Sequence, residues 1–467
     1  MREEDTMGSA ANMKKTHMDM LHGPIWNKLP VFAMTVAATA ILEQLFNASD
    51  VAVVGNFTGA QRTVAVAAVG ANSAIIGLIV NLFVGIALGA NVVIANAIGR
   101  GDKSAVRRAV RTAVTISILG GLLVTLIGEL IAAPLLRQLL VPDDVFPYAL
   151  LYLRIYLLGM PVILLYNFEA AIFRSVGETR VPLLALSASG VLNVILNLFF
   201  VAVLHMTVNG VAIATVIANV VSSAILFYML KTTTSVIRME GEKFGVDMGL
   251  LKQILSIGLP AGIQSAVFSF ANIIIQSAVN SLGTVAMAAS SAALNIELLN
   301  YFIINAFGQG CTTFVGQNFG AGQLKRCKKT LVISLAEAVA VLAVTMSATL
   351  FFGRSLLAIF NSDPAVINMG YDRLVLVLSG YFFSVAYEIM SAYLRGYGIS
   401  LVPAVLTMVG VCGIRFTWIY FVFSRSRTFR TIMAVYPISL GVTALLILAA
   451  LIWYRPAKKY SNETGKA

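Results

Sequence analysis

Long apolar segments, separated by short polar connections, run through nearly the whole chain. A transmembrane helix needs roughly 20 consecutive apolar residues, and twelve segments reach that length. The pattern therefore predicts twelve membrane-spanning helices, at residues 30–54, 64–97, 108–132, 147–173, 182–204, 210–230, 252–280, 284–317, 329–352, 367–394, 401–424 and 431–454. The second and the eighth are longer than a bilayer requires, so we expect them to tilt or to extend beyond it. Pro161 lies inside the fourth, where a helix bundle tolerates a kink.

Composition agrees with an integral membrane protein. The 467 residues are 58% apolar and only 12% charged, whereas soluble domains carry about 25% charged residues. The first 27 residues are polar and lack the apolar core of a cleavable signal. The cysteines, Cys311, Cys327 and Cys412, lack metal-ligand spacing, so we expect free thiols.

Lysine and arginine are unevenly distributed between the two sets of connections. Connections after even-numbered helices are rich in them, as at Arg107 and Arg108, and the opposite set has few. The positive-inside rule then places both termini in the cytoplasm. The location that we expect for such a protein is the inner (cytoplasmic) membrane. The same rule accounts for the net charge of +12 without a nucleic-acid partner. One loop departs from the rule, since Arg425, Arg427 and Arg430 would lie outside.

An internal repeat divides the chain into two halves. The following residues match at one constant spacing of 221: Ala65 and Ala286, Gly99 and Gly320, Gly101 and Gly322, Gly159 and Gly380, Arg174 and Arg395, Gly177 and Gly398, Pro182 and Pro403. Before the second helix the spacing is 230, as between Pro30 and Pro260. Six helices in each half give both halves the same topology.

The predicted fold is therefore an all-α integral membrane protein of two six-helix lobes, related by a pseudo-twofold axis along the membrane normal. We expect an N-terminal tail at 1–27, an N-lobe at 28–230, a cytoplasmic linker at 231–251, a C-lobe at 252–455 and a cytoplasmic C-terminal tail at 456–467.

Two acids lie within the first predicted helix. Glu43 and Asp50 are seven residues apart, so both carboxylates point to about the same side. A charge at this depth costs roughly 2.5–3.5 kcal/mol on insertion scales and usually serves a function. Two alternatives remain open: Asp50 caps a helix end near the outer interface, and Glu43 makes a structural hydrogen bond to a neighbouring helix.

Several motifs occur in order at characteristic spacings. They are LFNASDVAVVG (45–55), AVAAVG (65–70), AIGRGD (97–102), FRSVGETRVP (173–182) and GVAIATVIAN (210–219). With their echoes in the second half, they resemble the multidrug and toxin extrusion (MATE) family over about residues 25–455. The resemblance implies a twelve-helix exporter that works by alternating access and is driven by a proton or sodium gradient.

The DinF-like prokaryotic branch of that family suggests a cation-coupling site. The resemblance assigns it to Asp50, Asn193, Asn197 and Thr215, and Glu43 is a candidate to tune it. Asn197 stands where the branch has a second acid, which is a departure. Phe268 and Ser384 occupy positions where other branches carry acids, and this favours coupling through the N-lobe.

The chemistry of these side chains is compatible with that assignment. Asn193 and Asn197 are four residues apart and share a helix face. Carboxylate, amide and hydroxyl oxygens suit a hard cation such as Na⁺ or a protonated Asp50 that needs acceptors. The alternative is that Asn193, Asn197 and Thr215 only hold helices together by hydrogen bonds.

Other polar and aromatic residues in the spans are weaker candidates. The predicted substrate cavity comprises Tyr166, Phe168, Met287, Tyr301, Tyr387 and Glu388. Aromatic and methionine side chains suit planar organic cations, although packing alone explains each of them. Arg415 needs a partner, and Glu388 or Glu297 is expected to form a structural ion pair with it, in preference to a substrate role. Glu129, Glu169 and Glu337 receive no role.

The predicted function is a monomeric, cation-coupled antiporter (H⁺ or Na⁺) in the lipid bilayer, exporting amphipathic, often cationic small molecules. The alternative is a lipid-linked or oligosaccharide flippase. We expect no nucleic-acid partner, no cofactor and no metal beyond Na⁺ at Asp50, Asn193, Asn197 and Thr215. Catalytic motifs are absent and the three histidines, His17, His22 and His205, fall outside the spans, so we do not expect an enzyme.

Overall fold

The computed structural model describes residues 18–239 and 244–464 and consists of helices joined by short connections. The helices are α1 Leu29–Phe57, α2 Arg62–Gly99, α3 Lys103–Gln138, α4 Phe146–Leu158, α5 Met160–Ser175, α6 Arg180–Leu198, α7 Val208–Thr232, α8 Met248–Asn280, α9 Thr284–Gly320, α10 Leu324–Phe360, α11 Pro364–Ser379, α12 Tyr381–Gly396, α13 Leu401–Phe423, α14 Phe429–Met433, α15 Val435–Tyr454 and α16 Pro456–Thr464. Most of the predicted N-terminal tail with His17, residues 240–243 of the predicted linker and residues 465–467 lie outside the described residues.

The number of spans agrees with the sequence pattern. Ten helices within the described ranges are long and apolar enough to cross a membrane, and counting the bent pairs α4–α5 and α11–α12 as spans gives twelve. The bends are 51° and 41°. With no strand among these residues, the all-α membrane fold is confirmed.

A glycine lies at each of the two bends. A Cβ added at Gly159 would lie 2.5 Å from Val216 Cγ2, and one at Gly380 would lie 2.7 Å from Pro437 Cα. Both glycines therefore let a neighbouring helix approach more closely than any other residue would allow. Pro161 follows the first bend at the start of α5, where proline is compatible with a helix.

The chain forms two compact units. Of the described residues, the first contains those up to Pro24 and those within Ala38–Ile254, and the second contains Ile25–Ala37 and those from Leu255 onward. The start of α1 therefore belongs to the second unit, and the predicted lobe boundaries stay a prediction. Phe32 is fully buried and meets the ring of Phe314 edge-on, with 6.3 Å between centroids.

Matched residues of the repeat adopt matching backbone conformations. Gly101 and Gly322 both have φ +71°, and Gly177 and Gly398 have φ +81° and +83°. Left-handed conformations of this kind end helices at low cost only with glycine. This agreement is consistent with two copies of one structural plan.

The end of the predicted linker is fixed to the first unit. The backbone amides of Gly245 and Asp247 donate to Thr115 Oγ1 (3.3 Å) and Thr112 Oγ1 (3.0 Å). The Asp247 carboxylate also lies 3.2 Å from Arg108 Nε. These contacts attach the residues before α8 to α3.

Candidate functional site

Four of the predicted site residues come together in the first unit. Asp50 on α1 is 5% exposed, and its Oδ1 accepts a hydrogen bond from Asn197 Nδ2 at 2.6 Å. Its Oδ2 accepts one from Thr215 Oγ1 at 3.0 Å. Asn193 closes the cluster, because its Oδ1 accepts from Asn197 (3.1 Å) and its Nδ2 donates to Thr215 Oγ1 (3.3 Å).

The cluster is a closed ring of four side chains from three helices. Asp50 accepts two hydrogen bonds in it, and the single hydroxyl proton of Thr215 is shared between Asp50 Oδ2 and the carbonyl of Val211, at 3.0 Å each. Asn197 Oδ1 is buried and has no hydrogen-bond partner among the described residues. The ring therefore combines one buried carboxyl group with one unused acceptor.

Local sequence explains why α1 and α6 approach each other here. Gly190 has no side chain, and the ring of Phe46 fills that space: an added Cβ would lie 1.8 Å from Phe46 Cε2. Phe46 lies one turn before Asp50 on α1, and Gly190 lies two turns before Asn197 on α6. The four-residue spacing of Asn193 and Asn197 then points both amides at α1.

Glu43, the fifth predicted residue, is not part of the ring. It lies two turns earlier on α1, has an exposed side chain and makes no hydrogen bond to the other four. The positive charge of Arg174 acts on it electrostatically. The structure thus separates Glu43 from Asp50 although both lie on one helix.

The predicted cavity residues fall into two groups. Tyr166, Phe168 and Tyr387 are buried within their units, with Phe168 only 1% exposed. Met287 is 40% exposed, and Tyr301 is half-buried beside the ring of Phe302. Their role in a substrate cavity stays a prediction.

The expected ion pair of Arg415 is wrong. Glu388 pairs instead with Arg395. Glu297 is held by Arg373, with Nε and Nη2 at 2.6 and 3.1 Å from its two oxygens. Both acids thus lie beside other arginines, and Arg415 Nη1 donates to Asn272 Oδ1 at 2.6 Å.

Sequence reasoning missed the ion pair of Arg373 and Glu297. Both side chains are almost fully buried, and Arg373 Nη1 also donates to Ser290 Oγ at 2.5 Å. The available signals were Glu297 within the predicted eighth span and Arg373 within the tenth. Its partner could not be identified because the two residues are far apart in sequence.

The three unassigned acids have different environments. Glu169 is fully buried and accepts a hydrogen bond from Ser223 Oγ at 2.9 Å. Glu129 lies 3.4 Å from Arg154 Nε. Glu337 Oε2 is buried without a partner among the described residues.

The basic loop that departs from the positive-inside rule is partly neutralised. Arg430 makes two hydrogen bonds to the Asp372 carboxylate, at 3.0 and 3.1 Å. This ion pair neutralises one of the three arginine charges that depart from the positive-inside rule. No three His, Cys, Asp or Glu side chains within residues 18–239 and 244–464 are grouped to hold a metal ion.

Comparisons with known proteins agree with this architecture. The model of the MatE family matches residues 36–199 and 260–421. The "Probable multidrug resistance protein YoeA" of Bacillus subtilis is 24% identical over 433 residues, covering 91% of this chain and 92% of that protein. The "Probable multidrug resistance protein NorM" of Thermotoga maritima is 26% identical over 408 residues, covering 83% of each.

A solved structure shows the same fold. A multidrug resistance MATE family transporter in an outward-facing conformation superposes with a TM-score of 0.87 at 20% identity, covering 94% of this chain and 98% of that chain. The family match spans most of both units. The chain therefore belongs to the MatE family of membrane transporters and is not an enzyme.

Proposed function

We propose that this protein is a secondary active antiporter that exports amphipathic organic compounds, often cations, in exchange for H⁺ or Na⁺. The observation that carries the proposal is the hydrogen-bonded ring around Asp50. A buried carboxylate that makes only neutral contacts can change its charge by binding a proton or a sodium ion. Such a change is what ion coupling requires.

The unused acceptor on Asn197 gives the ring a second arrangement. In the observed arrangement Asn197 turns its Nδ2 towards Asp50. Rotation of the amide by half a turn would present Oδ1 to a protonated Asp50 or to a cation. Asn193 and Thr215 would reverse their hydrogen bonds in the same step, because each contacts the next member of the ring. Ion loading would thereby reorganise the contacts between α1, α6 and α7.

The substrate class is inferred from relatives. YoeA of Bacillus subtilis and NorM of Thermotoga maritima are both named as multidrug resistance proteins. For this chain we infer small organic molecules, a monomer in the cell membrane and both termini in the cytoplasm. We also infer membership of the DinF-like branch, because the acid of the ring lies on α1.

The flippase alternative predicts a cavity lined by arginine and lysine. Two of the intramembrane arginines in the described ranges, Arg373 and Arg395, are paired with carboxylates. Because these two arginines are neutralised, the pairing favours export of free organic compounds over the flippase alternative. Arg415 is the exception, since it has no carboxylate partner among the described residues.

The test uses purified protein in proteoliposomes. Ethidium export is followed under a pH gradient alone, a sodium gradient alone and no gradient, for wild type and for Asp50→Asn. We expect one gradient to drive uphill export by wild type and neither to drive it in the variant, while ethidium binding persists. Uphill export by Asp50→Asn at the wild-type rate would contradict the proposal.

A further inference from the structure

Arg415 is a buried cation without a carboxylate partner. Its side chain is 1% exposed, and its one hydrogen bond among the described residues joins Nη1 to Asn272. Its Nε is buried and donates to none of them. A charge in a membrane-spanning helix is expensive unless it is paired or functional. The amide of Asn272 is neutral and cannot compensate that charge.

Aromatic rings supply the remaining contacts. The Cζ atom of Arg415 lies 4.5 Å from the ring centroid of Tyr436 and 5.1 Å from that of Phe268. Cation–π contact with these rings stabilises the guanidinium only partly. Arg373 also lies over Tyr436, at 5.6 Å, with Glu297 as its carboxylate. The cluster of Arg373, Arg415 and Glu297 thus carries one uncompensated positive charge.

One edge of the guanidinium makes no hydrogen bond to the described residues. With Nη1 occupied, Nε and Nη2 form the side that arginine uses for two parallel bonds to a carboxylate or phosphate. Asn272 and Phe268, which contact the guanidinium, are themselves partly exposed. Movement of these two side chains is the route by which a ligand would reach Arg415.

The backbone around Arg415 is irregular. π-helical turns at Met408–Gly413 and Ile419–Phe423 flank the short α-helical stretch Ile414–Trp418 that carries it. Turns of this kind are rare and often occur at functional sites. The irregular backbone and the unpaired charge therefore coincide at one place on α13.

We propose that Arg415 and Asn272 bind the acidic group, a carboxylate or phosphate, of an amphipathic ligand. The Nε–Nη2 edge recognises the two oxygens, and Phe268 and Tyr436 contact the apolar part next to the acid. If the bound ligand is also an exported substrate, the proposal rests on the proposed function. It then extends the substrate class to compounds with an acidic group. Binding itself requires no transport.

The test compares two dyes that differ in this group. Rhodamine 110 has a free carboxylate, and rhodamine 123 is its methyl ester. Binding of each to the full chain in phosphatidylcholine nanodiscs is measured by fluorescence anisotropy without any ion gradient. We expect wild type to prefer the acid and Arg415→Gln to lose about tenfold or more in affinity for the acid only. Equal affinities for both dyes, unchanged in Arg415→Gln, would overturn the proposal.

Asn272→Asp separates recognition from folding. It supplies Arg415 with an internal carboxylate, so we expect higher thermal stability together with loss of the preference for the acid. A stabilised variant that still prefers rhodamine 110 as wild type does would overturn the proposal, even where Arg415→Gln fails to fold.

A second arm identifies the source of the acid. Nanodiscs that contain phosphatidylglycerol are compared with phosphatidylcholine nanodiscs. Competition by phosphatidylglycerol that depends on Arg415 would support the site with a lipid phosphate as its ligand, and absence of competition would support it with a soluble organic acid. The binding experiment uses no ion gradient, so a negative result in it does not affect the interpretation of the Asp50 export experiment. A negative result in the export experiment likewise does not affect the binding experiment.

Discussion

The two units share their turns and bends but differ in the charge that they bury. The first unit surrounds one carboxylate, Asp50, with two amides and a hydroxyl. The second unit places Arg373 and Arg415 at 5.6 and 4.5 Å from the ring of Tyr436, with Glu297 bound to Arg373 alone. One structural plan thus holds a negative centre in one copy and a positive centre in the other.

The repeat shows how this difference arises. At the spacing of 221, Thr215 of the ring corresponds to Tyr436, and Tyr152 corresponds to Arg373. Hydrogen bonds from a side chain to a carbonyl persist across the same spacing, since Asn91 Nδ2 donates to the carbonyl of Ala171 and Thr312 Oγ1 donates to that of Ala392. A few side chains therefore change the chemistry of a unit while its helices keep their packing.

Removal of the negative centre should have the largest effect on transport. Asp50→Asn keeps the shape of the side chain but cannot bind a proton or pair with Na⁺, so uphill export should be lost. The helix should still insert, because the change removes a costly charge. The control is Asn280→Ala, the corresponding position of the second unit, where the side chain of Asn280 accepts a hydrogen bond from Gln276 Nε2 (2.9 Å) and makes no other with the described residues. We expect the control to export normally in the proteoliposome assay.

Glu43 provides the comparison within the first unit. Because it lies outside the ring, Glu43→Gln should reduce export less than Asp50→Asn in the same assay. Loss of export in Glu43→Gln alone would move the coupling site two turns along α1 and leave the ring with a structural role.

The positive centre should matter more for stability. Glu297→Gln leaves the buried Arg373 without a carboxylate, which typically destabilises a protein by about 3–5 kcal/mol. The double variant Arg373→Met/Glu297→Leu should recover most of that loss, because it removes both charges. Thermal unfolding in nanodiscs measures both. A Glu297→Gln protein as stable as wild type would show that Arg373 finds another partner.

The sequence predicted those features that local spacing specifies. The spans follow from apolar length, and the four-residue spacing of Asn193 and Asn197 placed both amides on one face, where the structure brings them to Asp50. The partner of Arg415 could not be predicted. Five acids lie within the spans of the second half or close to them, and only the tertiary fold shows that Glu297 and Glu388 lie beside Arg373 and Arg395.

The same limit applies to contacts made at long range. Ser223 is separated from Glu169 by 54 residues, and no local pattern links them. Hydropathy also does not predict that residues 25–37 belong to the second unit, because the apolar pattern of α1 continues without a break.

The matched bends should differ in their tolerance of a side chain. Alanine at Gly380 would meet the rigid backbone of Pro437, whereas alanine at Gly159 would meet the side chain of Val216. We expect Gly380→Ala to destabilise more than Gly159→Ala, each within about 1–3 kcal/mol. Val216→Ala should rescue Gly159→Ala, as judged by thermal unfolding. Equal losses without rescue would mean that the bends depend on something other than these contacts.

The smallest effect is expected where the first unit is made more negative. In Asn197→Asp a carboxylate replaces the amide whose Nδ2 lies 2.6 Å from Asp50 Oδ1. Two carboxylates this close share a proton and hold it to higher pH than one alone. The variant should therefore fold and export, with its active range extended towards higher pH in a pH profile of the proteoliposome assay. Asn197→Leu is the control, since it removes the donor to Asp50 and should impair export. If Asn197→Asp misfolds while Asn197→Leu is harmless, Asn197 lies in a dry helix interface, and the ring of the first unit has a structural role only.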